Sequence, residues 1–425
     1  MSLKSYSDSV SKVWPLFTNI DVDYGEGIFL YDRKGKKYID FTSGIGVTNT
    51  GHCHPRVVNA IKKQSEKLLH GQTTILYNSM IDELASSIKK ILPDELNCMF
   101  FSNSGSEAVE SAIKLVRHAT GKPNIICFQG GYHGRSIGAL SLTTAKSVYR
   151  SGYQPLMSGV FVSPHPYFKQ HSNENSEQRV KHCLDELEHI LNTQTSPEET
   201  AAMIIEPILG EGGYVVPPKS FIQGIRNICD KYNILLIFDE IQTGFGRTGK
   251  YFAFEHFKVK PDILVIAKGI ASGLPLSGIV ANKKLMDKWV TGSHGGTYAP
   301  NPLSIAAAVE TIKVLEEEKL VHNSEDIGNY LLDKLQNIKN KHPNVIDVRG
   351  KGLMIGCELI EEDGQSGTYI AEKVRKNCLS KGLILLTCGP YNQVIRWIPP
   401  LTTKKSDIDR SLKIFEIALK QSLGR

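Results

Sequence analysis

The sequence predicts an α/β fold: a large domain on a mostly parallel central sheet flanked by helices, with a smaller α+β domain beside it. Short, continuous apolar runs rich in Ile, Val and Phe recur at 98–101, 125–128, 160–162, 203–205, 234–238 and 263–267, and such runs suit strands buried on both faces. Amphipathic helical patterns separate them, for example Val180, Leu184, Leu187 and Leu191, or Phe221, Ile225 and Ile228, which is the alternation expected of a parallel sheet with crossover helices. A chain of 425 residues, 41% hydrophobic and 22% charged, has the composition of an ordinary globular protein able to bury a large core.

Taken in order, the chain begins with a segment, residues 1–15, that places Asp8 among serines and lacks an apolar signal-like stretch, so a cytoplasmic location is the expectation. The stretch Phe29-Leu-Tyr-Asp-Arg-Lys-Gly-Lys-Lys-Tyr-Ile-Asp40 reads as a hairpin turning at Gly35. Residues 1–50 are assigned to the small domain, 51–309 to the large α/β domain, and 310–425, with long helices around Val345-Ile-Asp-Val-Arg349 and Leu383-Ile-Leu-Leu386, to the C-terminal part of the small domain. The polar stretch 170–175 reads as a loop.

Several function classes drop out. No run of apolar residues exceeds five, against ~20 for a membrane-spanning helix. Lys plus Arg less Asp plus Glu gives 50 − 44 = +6, but no like-charge block exceeds three residues, so nucleic acid is not indicated. Eight scattered cysteines form no CxxC pair and no dense disulfide framework. His52 and His54 lack partners at metal-ligand spacing, so no metal site is expected and a structural role is assigned to both.

Asp239 and Lys268 each stand at the carboxyl end of an expected parallel strand, the edge where open α/β sheets bind ligands. They are 268 − 239 = 29 residues apart, room for one crossover. A lysine there can act as a Schiff-base nucleophile, and an aspartate can keep a pyridine nitrogen protonated, the pairing that pyridoxal phosphate chemistry uses. Between 98–101 and the helical Ala108, Val109, Ala112 and Ile113 lies Ser102-Asn-Ser-Gly-Ser-Glu107, where Ser104 and Glu107 form a capping box. The open backbone N–H groups of Gly105 and Ser106 at that helix start could hold a phosphate. Each feature alone is also compatible with a strand-end lysine or a plain helix cap.

Together with Gly51-His-Cys-His-Pro55, Tyr132-His-Gly-Arg135, Ile205-Glu-Pro207, Gly210-Glu-Gly-Gly213, Phe238-Asp-Glu240, Gly244-Phe-Gly-Arg-Thr-Gly249, Ala267-Lys-Gly269 and Gly296-Thr-Tyr298, these residues make nearly the whole chain resemble the class III, fold type I aminotransferases dependent on pyridoxal 5'-phosphate. The resemblance implies that Lys268 is the Schiff-base lysine and moves a proton between the substrate Cα and C4′ of the cofactor. It implies that Asp239 pairs with the ring nitrogen, Gln242 meets the phenolic oxygen, Tyr132 stacks on the ring, His133 supports the site from behind, and Ser104, Gly105 and Ser106 hold the phosphate. Thr297 resembles the threonine that crosses to the neighbouring subunit's phosphate, implying a homodimer; whether dimers pair further is left open.

For substrate, the resemblance implies that Arg396 binds the α-carboxylate of glutamate or 2-oxoglutarate. Arg135 would hold the carboxylate distal to the reacting amine, each through the planar fork that suits carboxylates. An ω-amine donor would leave Arg396 desolvated and unpaired, and Glu211 resembles the switch that pairs with it for one half-reaction and leaves for the other. Glu206 would orient polar neighbours. Ile45 stands where 4-aminobutyrate aminotransferases are similar to this chain and ornithine δ-aminotransferases carry tyrosine. The expectation is transfer from 4-aminobutyrate to 2-oxoglutarate, with N-acetylornithine or another ω-amino acid as alternative donor. A glutamate-semialdehyde-type aminomutase or a decarboxylase is a rival on the same fold. A P-loop hydrolase is disfavoured: Tyr251 replaces the Mg²⁺-binding Ser/Thr, and the glycines from Gly244 do not directly follow a strand.

Overall fold

The computed structural model describes residues 6–167 and 174–424. Much of the 170–175 stretch therefore lies outside the described residues; within them Asn175 caps the helix Ser176–Thr193 in a capping box with Gln178. Three N-terminal strands, β1 (Val22–Glu26), β2 (Phe29–Asp32) and β3 (Lys37–Asp40), form an antiparallel meander. The hairpin between β2 and β3 turns at Gly35, whose φ of +77° only glycine takes without strain. Asp32 tightens that turn by accepting from the backbone N–H groups of Lys34 and Lys36, both at 2.9 Å.

The central sheet contains β4 (Cys98–Ser102), β5 (Asn124–Phe128), β6 (Val160–Ser163), β7 (Thr200–Ile205), β8 (Leu235–Asp239), β9 (Ile263–Ile266) and β10 (Ser277–Ala281), in spatial order β4-β10-β9-β8-β7-β5-β6. All are parallel except β10, which runs antiparallel to both β4 and β9. The inner strands β7, β9 and β10 are buried along their whole length, which is why their sequences do not alternate. The strand expected at 234–238 begins and ends one residue later, so Asp239 is its last residue. No unbroken apolar run marks β10, because Ser277 and Gly278 open it. A side chain at Gly278 would also crowd the Phe100 carbonyl at 2.6 Å.

The C-terminal part adds β11 (Val345–Lys351), β12 (Met354–Leu359), β13 (Leu383–Ile384), β14 (Leu386–Cys388) and β15 (Val394–Trp397). The expected single strand Leu383-Ile-Leu-Leu386 is split. β13 pairs in parallel with β3 of the N-terminal meander, whereas β14 pairs with β15 in the sheet β11-β12-β15-β14. One apolar run thus serves two sheets, because the chain passes from one to the other at Leu385. All eight cysteines are free. Among the described residues no helix is long and apolar enough to cross a membrane.

The glycine-rich segment after β8 carries a structural cation rather than a phosphate cradle. Arg247 is wholly buried and donates to the carbonyls of Leu353 and Pro399 and to Asn49 Oδ1, tying this loop to the sheet that carries Arg396. The next helix, Phe254–Phe257, is only four residues long. Arg247→Met would leave those acceptors unpaired, at about 1.5–3 kcal/mol for each bond to a charged group. A fall in unfolding stability of roughly 3 kcal/mol or more is expected by urea titration.

Candidate active site

The site grows from the carboxyl ends of β8 and β9. Asp239, closing β8, is buried. Its Oδ2 lies 2.8 Å from His133 Nδ1, and its Oδ1 accepts from the Ile241 N–H at 3.1 Å. Both oxygens are thereby oriented by protein before any ligand arrives. Two residues past β9, Lys268 adopts φ +46°, a left-handed conformation that costs a non-glycine residue about 1–3 kcal/mol. Gly269 permits this path, since a side chain there would run into the Asn49 amide. Lys268 Nζ makes no hydrogen bond or ion pair among the described residues. Burial pulls its ammonium below the ordinary lysine range, against the pull of Glu211 and Asp239.

At the end of β4, Ser104 caps the helix Gly105–Thr120: its hydroxyl accepts from the Glu107 N–H at 3.3 Å while the Glu107 carboxylate takes the Ser104 N–H at 2.9 Å. Among the described residues the N–H groups of Gly105 and Ser106 stay without acceptors at the positive end of a sixteen-residue helix. Tyr132, His133, Glu206, Glu211, Asp239, Gln242 and Lys268 line the same cavity as Ser104, Gly105 and Ser106, a space of about 320 Å³. Glu206 accepts from the Tyr132 N–H at 2.7 Å and the Gly210 N–H at 2.9 Å, fixing two wall segments. Gln242 is buried, and among the described residues its amide makes no hydrogen bond and Oε1 is left without a partner.

Those groups test a cofactor. Two free N–H groups at a helix start suit a phosphate, the oriented carboxylate suits a protonated ring nitrogen, the amide suits a phenolic oxygen, and the unpaired amine suits an aldehyde. Pyridoxal 5′-phosphate carries all four, and the residues fit it.

A second cavity, sharing Tyr132, Glu211 and Lys268 with the first, holds the residues expected to choose substrate: Ile45, Arg135 and Arg396. Arg396, on β15, is buried and donates to Glu211 Oε1. Burial raises the cost of the Glu211 charge, but Arg396 and Lys146 outweigh it and hold the carboxyl below its usual range. Arg135 is exposed, its Nε donating to the Tyr132 hydroxyl at 3.2 Å and its guanidinium 4.7 Å from the Tyr149 ring centre. Ile45 sits in a left-handed turn in which Ser43, Gly44, Ile45 and Gly46 have φ of 48°, 61°, 67° and 76°. A β-branched residue in that region is an outlier, held by the Ser43 hydroxyl donating to the Ile398 carbonyl at 2.7 Å.

Thr297 is not part of either cavity; it is exposed on the surface of its own chain. His52 Nε2 lies 2.8 Å from Asp40 and His54 Nε2 3.1 Å from Glu318, so both are engaged in bracing the N-terminal segment. Lys146, Tyr149 and Arg375 also line the substrate cavity. No motif marked them in the sequence, because they reach the cavity from a short 3₁₀ turn, Ser147–Tyr149, and its flank and from the helix Thr368–Ser380.

Residues 11–419 match the family model described as Aminotransferase class-III. The chain is 38% identical over 405 residues to the alanine/serine racemase of Pyrococcus horikoshii, covering 94% of this chain and 85% of that one. It is 38% identical over 408 residues to the probable 4-aminobutyrate aminotransferase of Bacillus subtilis, covering 93% and 92%. It is 40% identical over 395 residues to the acetylornithine aminotransferase of Methanosarcina mazei, covering 93% and 90%. Among solved structures, a thermostable (S)-enantioselective omega-transaminase from Thermomicrobium roseum aligns with a TM-score of 0.90 at 31% identity, covering 97% of this chain and 96% of that one.

Because burial lowers the Lys268 pKa, more of this amine is neutral at a given pH than of an exposed lysine. Uptake of pyridoxal 5′-phosphate by the apoprotein, followed by visible absorbance across pH, is expected to reach its plateau below the ordinary midpoint of 10.5. Lys268→Ala is expected to lose the covalent, borohydride-reducible link to the cofactor.

Proposed function

The chain belongs to the class-III aminotransferases, and from that premise we propose that it moves the terminal amine of 4-aminobutyrate to 2-oxoglutarate, yielding the semialdehyde and glutamate. Enzymes of this family use pyridoxal 5′-phosphate and act on small amino and keto substrates. Bound here, the cofactor supplies an aldehyde that captures amines and a pyridinium ring that draws electrons from the carbon losing its proton.

In this reading Lys268 provides the amine and would carry the proton between the amine-bearing carbon of the substrate and C4′ of the cofactor, its lowered pKa favouring the neutral, basic form. Asp239, steadied by His133 and the Ile241 N–H, places a negative charge against the ring nitrogen. Gly105 and Ser106, with Ser104 shaping the turn, hold the phosphate. Tyr132 offers an aromatic face worth about 0.5–1.5 kcal/mol beyond its buried area, and the Gln242 amide meets the phenolic oxygen. Thr297, exposed on its own subunit, would complete the phosphate site of a second copy. The enzyme then works as a homodimer, with the cytoplasm as its expected place.

One observation carries the donor assignment: the ion pair between Glu211 and Arg396. With Arg396 neutralised, the cavity accepts a donor that has no carboxylate beside its amine, while Arg135 at the far side takes the distal one. When 2-oxoglutarate follows, its α-carboxylate replaces Glu211 on Arg396. Ile45 leaves the cavity wall apolar where a hydroxyl would serve a donor with a second amine. N-acetylornithine is the alternative donor that the same groups would admit.

The likeness to an alanine/serine racemase supports a second reading, in which one α-amino acid enters and leaves with its configuration changed. The Glu211–Arg396 pair disfavours it, as it disfavours an aminomutase: an enzyme whose substrate always brings an α-carboxylate gains nothing from a counter-ion that must be expelled each time. Turnover that requires 2-oxoglutarate is expected; turnover of a single substrate without keto acid would favour the racemase or mutase. Glu211→Ser is expected to lower the ratio of ω-amino to α-amino acid turnover at least tenfold, and an unchanged ratio would remove Glu211 from the switch.

A further inference from the structure

The Glu211 switch raises a question of charge. A carboxylate that leaves a buried arginine yet stays in the protein's interior needs another cation, because an isolated buried charge is strongly disfavoured. We propose that Lys146 is that cation: it receives Glu211 when the keto acid's carboxylate takes Arg396, and so positions the enzyme for the acceptor half-reaction. This rests on the reading of Glu211 as a switch.

Lys146 lines the substrate cavity together with Glu211, Arg396 and Tyr149. Its Nζ donates to Asn392 Oδ1 at 2.5 Å, and no carboxylate among the described residues lies within ion-pair distance. An ammonium has three donors, and this one has a neutral partner for one of them. Glu372, the other carboxylate lining the cavity, is already taken: Arg375 holds both of its oxygens, at 2.8 and 2.7 Å, and Lys376 approaches at 3.2 Å. Glu211 is therefore the carboxylate that Lys146 can acquire.

The path between them is built. Tyr149 approaches both charges, its hydroxyl 3.5 Å from Glu211 Oε2 and its ring centre 6.0 Å from Lys146 Nζ. Backbone bonds tie the two ends together: the Gly389 N–H donates to the Glu211 carbonyl at 2.9 Å, and the Asn392 N–H donates to the Gly389 carbonyl at 3.1 Å. The turn that holds Lys146 is thus anchored on the residue that moves. Burial pulls the Lys146 ammonium below the ordinary lysine range, and the Glu211 charge opposes that pull only in part. Arg135, over the Tyr149 ring and bonded to the Tyr132 hydroxyl, makes no ion pair among the described residues and is left for the distal carboxylate.

The test uses the cofactor-loaded enzyme and glutarate, an unreactive dicarboxylate, with binding read by calorimetry and half-reaction rates read by absorbance. Lys146→Met is expected to weaken glutarate at least tenfold and to raise the KM for 2-oxoglutarate. It is expected to leave the KM for 4-aminobutyrate equal or lower, because losing the receiver favours Glu211 on Arg396. Lys146→Arg should restore most of the glutarate affinity, and Asn392→Ala should weaken it in the same direction by less. In a Glu211→Ser background, Lys146→Met should change glutarate binding less than twofold. Equal weakening in both backgrounds would show that Lys146 binds the ligand itself and would overturn the proposal, as would unchanged affinity in Lys146→Met. Failure of the switch reading shows separately, as a Glu211→Ser variant whose ω-to-α ratio does not move.

Discussion

The buried Arg396 guanidinium and the carboxylate that meets it set the terms for the rest of this structure. An arginine in that position cannot shed its proton, and leaving it unpaired costs several kcal/mol. The fold supplies Glu211 from the loop after β7 and Arg396 from β15, so the two sheets must be held in fixed relation. Arg247 does this from the segment after β8, by donating to the carbonyl of Pro399, three residues past Arg396. The Gly389 N–H does it again from the β14–β15 turn, by donating to Glu211's own carbonyl. A pair assembled from two sheets can open without either sheet unfolding, which a two-substrate site requires.

Backbone strain is concentrated around the same cavities. Lys268 and Ile45 both take left-handed conformations that a lysine and a β-branched residue avoid. Each is held from outside its own segment, Lys268 by the space Gly269 leaves for Asn49, and Ile45 by Ser43 bonded to the Ile398 carbonyl. Asn49 serves three of these features, since it packs on Gly269, donates to the Phe245 carbonyl at 2.8 Å and accepts from Arg247. The rigid framework stores the strain and aims the two side chains where the chemistry needs them.

Much of this was legible in the sequence. Strands buried on both faces announce themselves as unbroken apolar runs, so the ends of β8 and β9, and with them Asp239 and Lys268, could be placed. The Ser104 and Glu107 capping box marked the helix start correctly. Less visible was whatever depends on contacts distant in sequence. β10 is antiparallel and begins Ser-Gly, so no run reveals it. Leu383-Ile-Leu-Leu386 looks like one strand because periodicity says nothing about a change of sheet. Lys146 and Tyr149 lie in a short irregular stretch whose place in the cavity is set by tertiary packing alone. Thr297 lines neither of the two cavities described, so no contact within this chain marks the role that its motif implies.

The most direct test is the visible spectrum of the purified protein before and after adding 4-aminobutyrate with no keto acid present. The expected result is a yellow protein whose band 4-aminobutyrate bleaches and 2-oxoglutarate restores, showing that Lys268, the cofactor and the donor work together. A yellow protein that 4-aminobutyrate leaves unbleached would contradict the donor assignment while sparing the cofactor. A colourless protein that pyridoxal 5′-phosphate cannot reconstitute would contradict the account at its centre.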